Sequence, residues 1–158
     1  MQVKSAEHHF AHAALRHYED AVLLHDGVRL PNADHHFGFA VECALKSLLL
    51  RFTTVSMNPK PNGKPASKPW SMHPTTGKVQ EHGHLPELAT DISLLMHGRS
   101  ASGLSAALTG LSAFATWSVN DRYRDGSDVG EADVRQRRTV AENILALHDH
   151  ALLTGRLP

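Results

Sequence analysis

From Asn32 to Phe52 the chain reads NADHHFGFAVECALKSLLLRF, and its apolar residues recur at the three- and four-residue steps of a helix. Phe37, Ala40, Val41, Ala44, Leu45, Leu48 and Phe52 form a wide face, and Phe39, Cys43 and Leu50 a narrower one on the far side. A helix that is apolar on two sides is central and packs against several neighbours. Between these faces, His35, Gly38, Glu42 and Lys46 share one narrow strip. Asn32 and Asp34 are suited to cap this helix, and Pro31 marks the break before it.

The same periodicity predicts a first helix over about Ser5–Val28, with Phe10, Ala13, Ala14, Ala21, Leu24 and Val28 on one stripe and His17 within it. A shorter helix is predicted within HGHLPELATDISLLMHG, opened by Pro86 and closed by Gly98. Small residues dominate Arg99–Trp117, which reads as a helix that a neighbour can approach closely. A polar turn, SVNDRYRDGSDVG, leads to a last helix over Glu131–Leu153. There Val134, Ala141, Ile144, Leu145 and Leu152 face inward, with His148 among them. No segment alternates convincingly as a strand. The expected fold is a single all-α domain, a bundle of four long helices plus a shorter one.

The region at about 55–83 interrupts the pattern. It holds five of the eight prolines, four of the six lysines and no acidic residue before Glu81. Prolines at this density forbid a continuous helix or a central strand, so a surface loop is expected. Trp70 within it either packs back on the bundle or stacks on a nucleobase while lysines hold phosphates.

Composition narrows the function classes. At 158 residues, 41% hydrophobic and 20% charged, the chain is an ordinary globular domain with zero formal net charge, so nothing in its global field attracts a polyanion or a membrane. The lone Cys43 excludes an internal disulfide framework and fits a reducing compartment. The first ten residues, MQVKSAEHHF, lack the apolar core of a secretory signal, and a cytoplasmic location is expected. Thirteen histidines are the compositional oddity. His8 and His12 are spaced to share a helix face, but no Cys and no second ligand cluster completes a metal site there, so neither a metal nor a cofactor is expected. Phosphate-binding glycine loops, dinucleotide fingerprints and nucleophile elbows are absent from the sequence.

Three stretches, in order, resemble the HEPN-domain superfamily. NADHHFGFAVECALKSLL is similar to the Ala-rich second helix of those proteins, with its Glu-x-x-x-Lys pair. HGHLPELA resembles the His-Leu-x-x-Leu start of their following helix, and WSVNDRYRDG the Trp and Arg-Tyr segment before their last one. The resemblance implies a helical bundle, often a homodimer, of prokaryotic defence or toxin–antitoxin systems. Some members are metal-independent endoribonucleases; others are non-catalytic modules paired with a nucleotidyltransferase or an antitoxin. The ribonuclease members carry an Arg followed after four to six residues by a His near the last helix. Here Arg122, Arg124, Arg135, Arg137 and Arg138 have no such His, and only Arg29 with His35 or His36 matches formally. Among ten arginines and thirteen histidines that spacing carries no weight by itself.

Metal-free RNA cleavage needs a proton acceptor and a cation for the phosphorane, roles suited to His and Arg. The candidate catalytic residues are His35, Arg122 and His148, with Arg122 and His148, or His17 and His35, able to meet across the bundle. The candidate ligand-binding residues are Glu42, Lys46, Trp117 and Tyr123. Each has a structural alternative: a Glu42–Lys46 ion pair along one helix, a hydrogen-bonded core histidine, a turn anchored by aromatic packing. Glu42 also has a possible long-range partner in Arg122, which would join two motifs in one polar centre. The lead expectation is an RNA- or nucleotide-associated module of a prokaryotic defence or toxin–antitoxin-type system, with or without catalysis of its own. Its rivals are an endoribonuclease with a displaced Arg/His site and a protein-docking partner using Ser102–Phe114.

Overall fold

The computed structural model describes residues 5–96 and 102–158. Gly98 and Arg99, expected to close one helix and open the next, lie outside the described residues. Among those described, three helices are long: α1 (Ala6–Asp26), α2 (Leu30–Phe52) and α5 (Glu131–Thr154). Two are short, α3 (Glu87–Leu95) and α4 (Ser102–Thr109). The chain is mostly helical, but the small-residue segment does not form a fourth long helix. It leaves the α-helix at Thr109 and continues as a 3-10 turn over Gly110–Phe114. A β-carbon at Gly110 would make ordinary contact with the Val140 side chain at 3.5 Å, so this segment packs on α5 inside the chain.

Helix α1 runs antiparallel to α2, with Glu7 reaching Arg51 at one end and His17 reaching His36 further along. Helix α5 runs alongside α2 in the same direction, as the pairs Asp34–Arg137 and Ser47–His148 require. The core lies between these three helices. Phe37, Ala40, Val41, Ala44, Leu45 and Leu48 of α2 are fully buried, and Phe39, Cys43 and Leu50 pack as a half-buried second face. At about 25 cal/mol per Å² of apolar surface, this face is a main source of stability. Val28, placed on the α1 stripe by periodicity, is exposed because the helix ends at Asp26 and Val28 turns into the left-handed region. No helix among the described residues is long and apolar enough to cross a membrane.

The Pro/Lys-rich segment is ordered, contrary to the expectation of a structureless loop. β1 (Trp70–Met72) pairs antiparallel with β2 (Val79–Glu81), Trp70 opposite Glu81. The prolines are compatible with this because they fall at 59, 61, 65 and 69 before β1 and at 74 in the turn, leaving two proline-free triplets. Trp70 is half-buried and its indole N–H donates to the Asn58 carbonyl at 2.8 Å, which favours the packing alternative over base stacking.

Candidate functional site

The strip His35–Gly38–Glu42–Lys46 divides into two centres. In the first, Glu42 is 4% exposed and accepts from Lys46 Nζ at 2.7 Å, from His84 Nδ1 at 2.9 Å and from the Leu85 N–H at 3.4 Å. It does not meet Arg122, because the carboxylate is already surrounded by groups from α2 and from the start of the third helical segment. With both side chains buried and paired, Glu42 and Lys46 join α2 to His84 and Leu85 and offer no open ligand site.

The second centre lies at the N-terminal end of α2. Trp117 is fully buried against Gly38, where a β-carbon would stand 2.0 Å from the indole. The Trp117 indole N–H donates to the Asp34 carbonyl at 3.2 Å, and the ring stacks on His35 with centroids 5.5 Å apart and planes at 25°. The Asp34 side chain, only 3% exposed, is not a helix cap: it lies inside α2 and accepts from Arg137 Nη1 at 2.6 Å. Arg137 also donates to the Ala113 carbonyl and to Thr116 Oγ1, at 2.9 and 2.8 Å, so each of its three nitrogens is engaged. Ser118 caps the 3-10 turn Val119–Tyr123, with Asp121 Oδ2 returning to the Ser118 N–H, and this sets Asp121 and Arg124 over the site. The turn then closes on Pro31 at Gly126, whose positive φ and tight approach exclude a side chain.

These elements enclose a cavity of about 130 Å³ lined by Asp34, His35, Thr116, Asp121, Arg124 and Arg137, among others. Three buried side-chain atoms at this cavity have no hydrogen-bond partner: Asp34 Oδ1 and both ring nitrogens of His35. Burial, then the nearby His36 and Arg122, lowers the His35 pKa below its ordinary 6.5, so the ring is neutral at pH 7. Burial raises the Asp34 pKa, and the Arg137 bond opposes that rise. Unpartnered buried polar atoms are rare in folded proteins, and their clustering on two consecutive residues makes this place the candidate site.

No family model, curated protein or solved structure matches the chain. What the site does is therefore argued from its geometry.

Of the sequence-predicted residues, His35 lines the cavity and Trp117 is stacked on His35. Tyr123 is 74% exposed beside it, with the Arg122 guanidinium 4.8 Å from its ring centroid. His148 is elsewhere. Its Nε2 bonds Ser47 Oγ at 2.9 Å, twelve positions past His35 on α2, or about 18 Å along the axis. His17 meets His36 rather than His35, at 3.1 Å between Nδ1 atoms. The His8 and His12 rings lie 4.1 Å apart, and no group of three or more metal-ligating side chains converges among the described residues. Cys43 is a half-buried thiol, its pKa pushed up to about 11 chiefly by burial, so it is not a nucleophile at neutral pH.

Sequence reasoning missed the buried Asp34–Arg137 pair and a second polar relay. In the latter, Ser71 Oγ is 2.9 Å from His82 Nε2, and His82 Nδ1 is 3.0 Å from Asp91 Oδ2. If His82 donates to Asp91 from Nδ1, its Nε2 accepts the Ser71 hydroxyl, the order found in nucleophilic hydrolases. Ser71 is only 3% exposed and His82 is fully buried, and the relay's polar atoms are already paired within the chain. This relay pins the hairpin to α3.

Histidine burial has a consequence for stability. His17, His35 and His148 all have pKa values lowered first by burial. The unfolded chain then binds protons near 6.5 while the fold does not, so stability is complete above that pH and falls as pH drops toward the folded values. Asp34, raised above 3.8, acts in the opposite sense and at lower pH. Urea midpoints are expected to decline from pH 7.5 to pH 5, the decline beginning near 6.5; a flat profile there would contradict burial of neutral imidazoles.

Proposed function

We propose that the chain is a HEPN-like helical module that holds a nucleotide or single-stranded RNA at the Asp34–His35 cavity without cleaving it. The observation that carries this reading is the set of unpartnered buried atoms at a cavity lined by Asp34 and His35, with the Trp117 indole stacked on His35. Arg122 and Tyr123 are exposed beside it, a guanidinium over a phenol ring, the combination that binds single-stranded nucleic acid by stacking and charge. The three stretches that carry the family resemblance also meet on α2. Glu42 of the first accepts from His84 and Leu85 of the second, and Trp117 of the third fills the notch at Gly38.

Cleavage is disfavoured by what the neighbouring groups already do. A general base has to be oriented and a cation has to be free. His35 has no hydrogen bond to orient it, Arg137 is committed to three acceptors, and His148 is bonded to Ser47. Arg124 lines the cavity but is flanked by Asp121 and Asp128 at 4.0 and 3.3 Å.

The test uses a fluorescently labelled single-stranded RNA in EDTA, followed by anisotropy and by gel. The RNA is expected to stay intact and to bind, with Tyr123→Ala and Arg122→Ala each weakening binding by about tenfold, the loss of one stacked base or one phosphate contact. Both side chains are exposed, so their removal leaves the fold in place. Cleavage in EDTA that disappears with His35→Ala would replace this reading with the endoribonuclease one.

A further inference from the structure

We infer that the cavity reads the amino-bearing edge of a nucleobase, as in adenine or cytosine, and leaves the phosphate outside. This rests on the nucleotide reading above and narrows it.

Charge is the first reason. The cavity lining carries four carboxylates, on Asp34, Asp121, Asp128 and Asp133, against two guanidiniums, on Arg124 and Arg137. Arg137 is neutralised by Asp34 at 2.6 Å, and Arg124 stands between Asp121 and Asp128. A phosphate placed here meets a net negative wall at short range, where like charges repel strongly in a medium of reduced dielectric constant. A hydrogen-bond donor meets the opposite field.

The second reason is the inventory of unpartnered atoms. Asp34 Oδ1 is an acceptor with no donor, since its sister oxygen holds Arg137. A neutral His35 carries one N–H and one lone pair, neither of them used. An acceptor on Asp34 and a donor on His35 complement an exocyclic amino group beside a ring nitrogen, the pair at the Watson–Crick edge of adenine and of cytosine. The Trp117 ring stacked on His35 holds that imidazole in place.

Size is the third. A cavity of about 130 Å³ corresponds to about four waters at roughly 30 Å³ each. It admits the edge of one base and excludes ribose and phosphate, which stay at the rim with Arg122 and Tyr123.

Because Asp34 also holds Arg137, the ligand is altered and the side chain is kept. The protein is the full chain carrying Trp70→Phe, which leaves Trp117, stacked on the cavity histidine, as the only fluorophore of its kind. It is titrated with AMP, with purine riboside 5′-monophosphate (hydrogen in place of the amino group), with adenosine and with ribose 5-phosphate. Trp117 emission is expected to change with AMP, and AMP should bind at least about tenfold more tightly than its des-amino analogue, the loss that follows when a buried acceptor goes unpaired. Adenosine should bind within about threefold of AMP, the phosphate being solvated at the rim. Equal affinity for AMP and the des-amino analogue overturns the inference while leaving the nucleotide reading intact. Displacement of AMP by ribose 5-phosphate overturns it in favour of a phosphate site. Failure of all four ligands to bind removes the nucleotide reading together with the inference.

Discussion

Gly38→Ala is expected to destabilise the protein by about 2 kcal/mol, although alanine is the better helix former. Propensity alone predicts a gain of about 1 kcal/mol for this change inside a helix. Against that stands a β-carbon 2.0 Å from Trp117 Cε2 and 2.4 Å from two further indole atoms. The indole is fully buried and hydrogen-bonded to the Asp34 carbonyl, so it has nowhere to retreat, and overpacking of this kind costs at the upper end of about 1–3 kcal/mol. The sign of the change in urea midpoint decides between the two effects. Displacement of Trp117 also removes the wall behind His35, so ligand binding should fall further than the loss of stability explains. A Gly38→Ala protein more stable than the wild type would mean that Trp117 is not seated on α2.

Arg137→Ala is expected to cost about 3–5 kcal/mol, the penalty for leaving one member of a buried ion pair behind. Three acceptors lose their donor at once: Asp34 Oδ2, the Ala113 carbonyl and Thr116 Oγ1. Asp34 is then a buried carboxylate with neither oxygen satisfied, since Oδ1 has no partner even in the intact protein. Arg137→Lys should recover only part of the loss, because a single ammonium cannot address three acceptors arranged around a planar fork. A double change of Asp34→Asn with Arg137→Met should be closer to the wild type than Arg137→Ala, since it removes the stranded charge. Chemical denaturation of these variants measures all three expectations. A cost below about 1 kcal/mol for Arg137→Ala, the range of an exposed pair, would contradict the burial of this one.

Local periodicity made the helical framework legible. The two apolar faces of α2 and the inward set of α5 are visible in sequence because each is a three- to four-residue repeat within one element. Boundaries failed where packing overrides propensity. The segment after Ser102 is helical by composition, yet it tightens into a 3-10 turn where Gly110 meets Val140. The β1–β2 hairpin was obscured by prolines that border its strands without entering them.

At the site, the strip His35–Gly38 and the motif around Trp117 were visible as separate features. Their meeting required the fold, since the indole joins a notch on a helix far earlier in the chain. Asp34 reads locally as a helix cap, and Arg137 only as one of several arginines without a His at the ribonuclease spacing. Only the tertiary register brings them within 2.6 Å. Ser71, His82 and Asp91 escaped notice for the same reason, since the hairpin sets Ser71 opposite Gln80 and only the fold brings it to His82, and His82 to Asp91.

In the proposed function, the end of α2 next to the 118–126 turn is where a nucleotide or RNA would bind. Amide chemical-shift mapping of the isotopically labelled protein during titration with a short single-stranded RNA tests it most directly. Shifts should concentrate on Asp34, His35 and Thr116–Arg124, with the Ser47–His148 contact and the Glu42–Lys46 centre unmoved. Saturable shifts confined to any other surface, or none at all at millimolar RNA, would contradict the account.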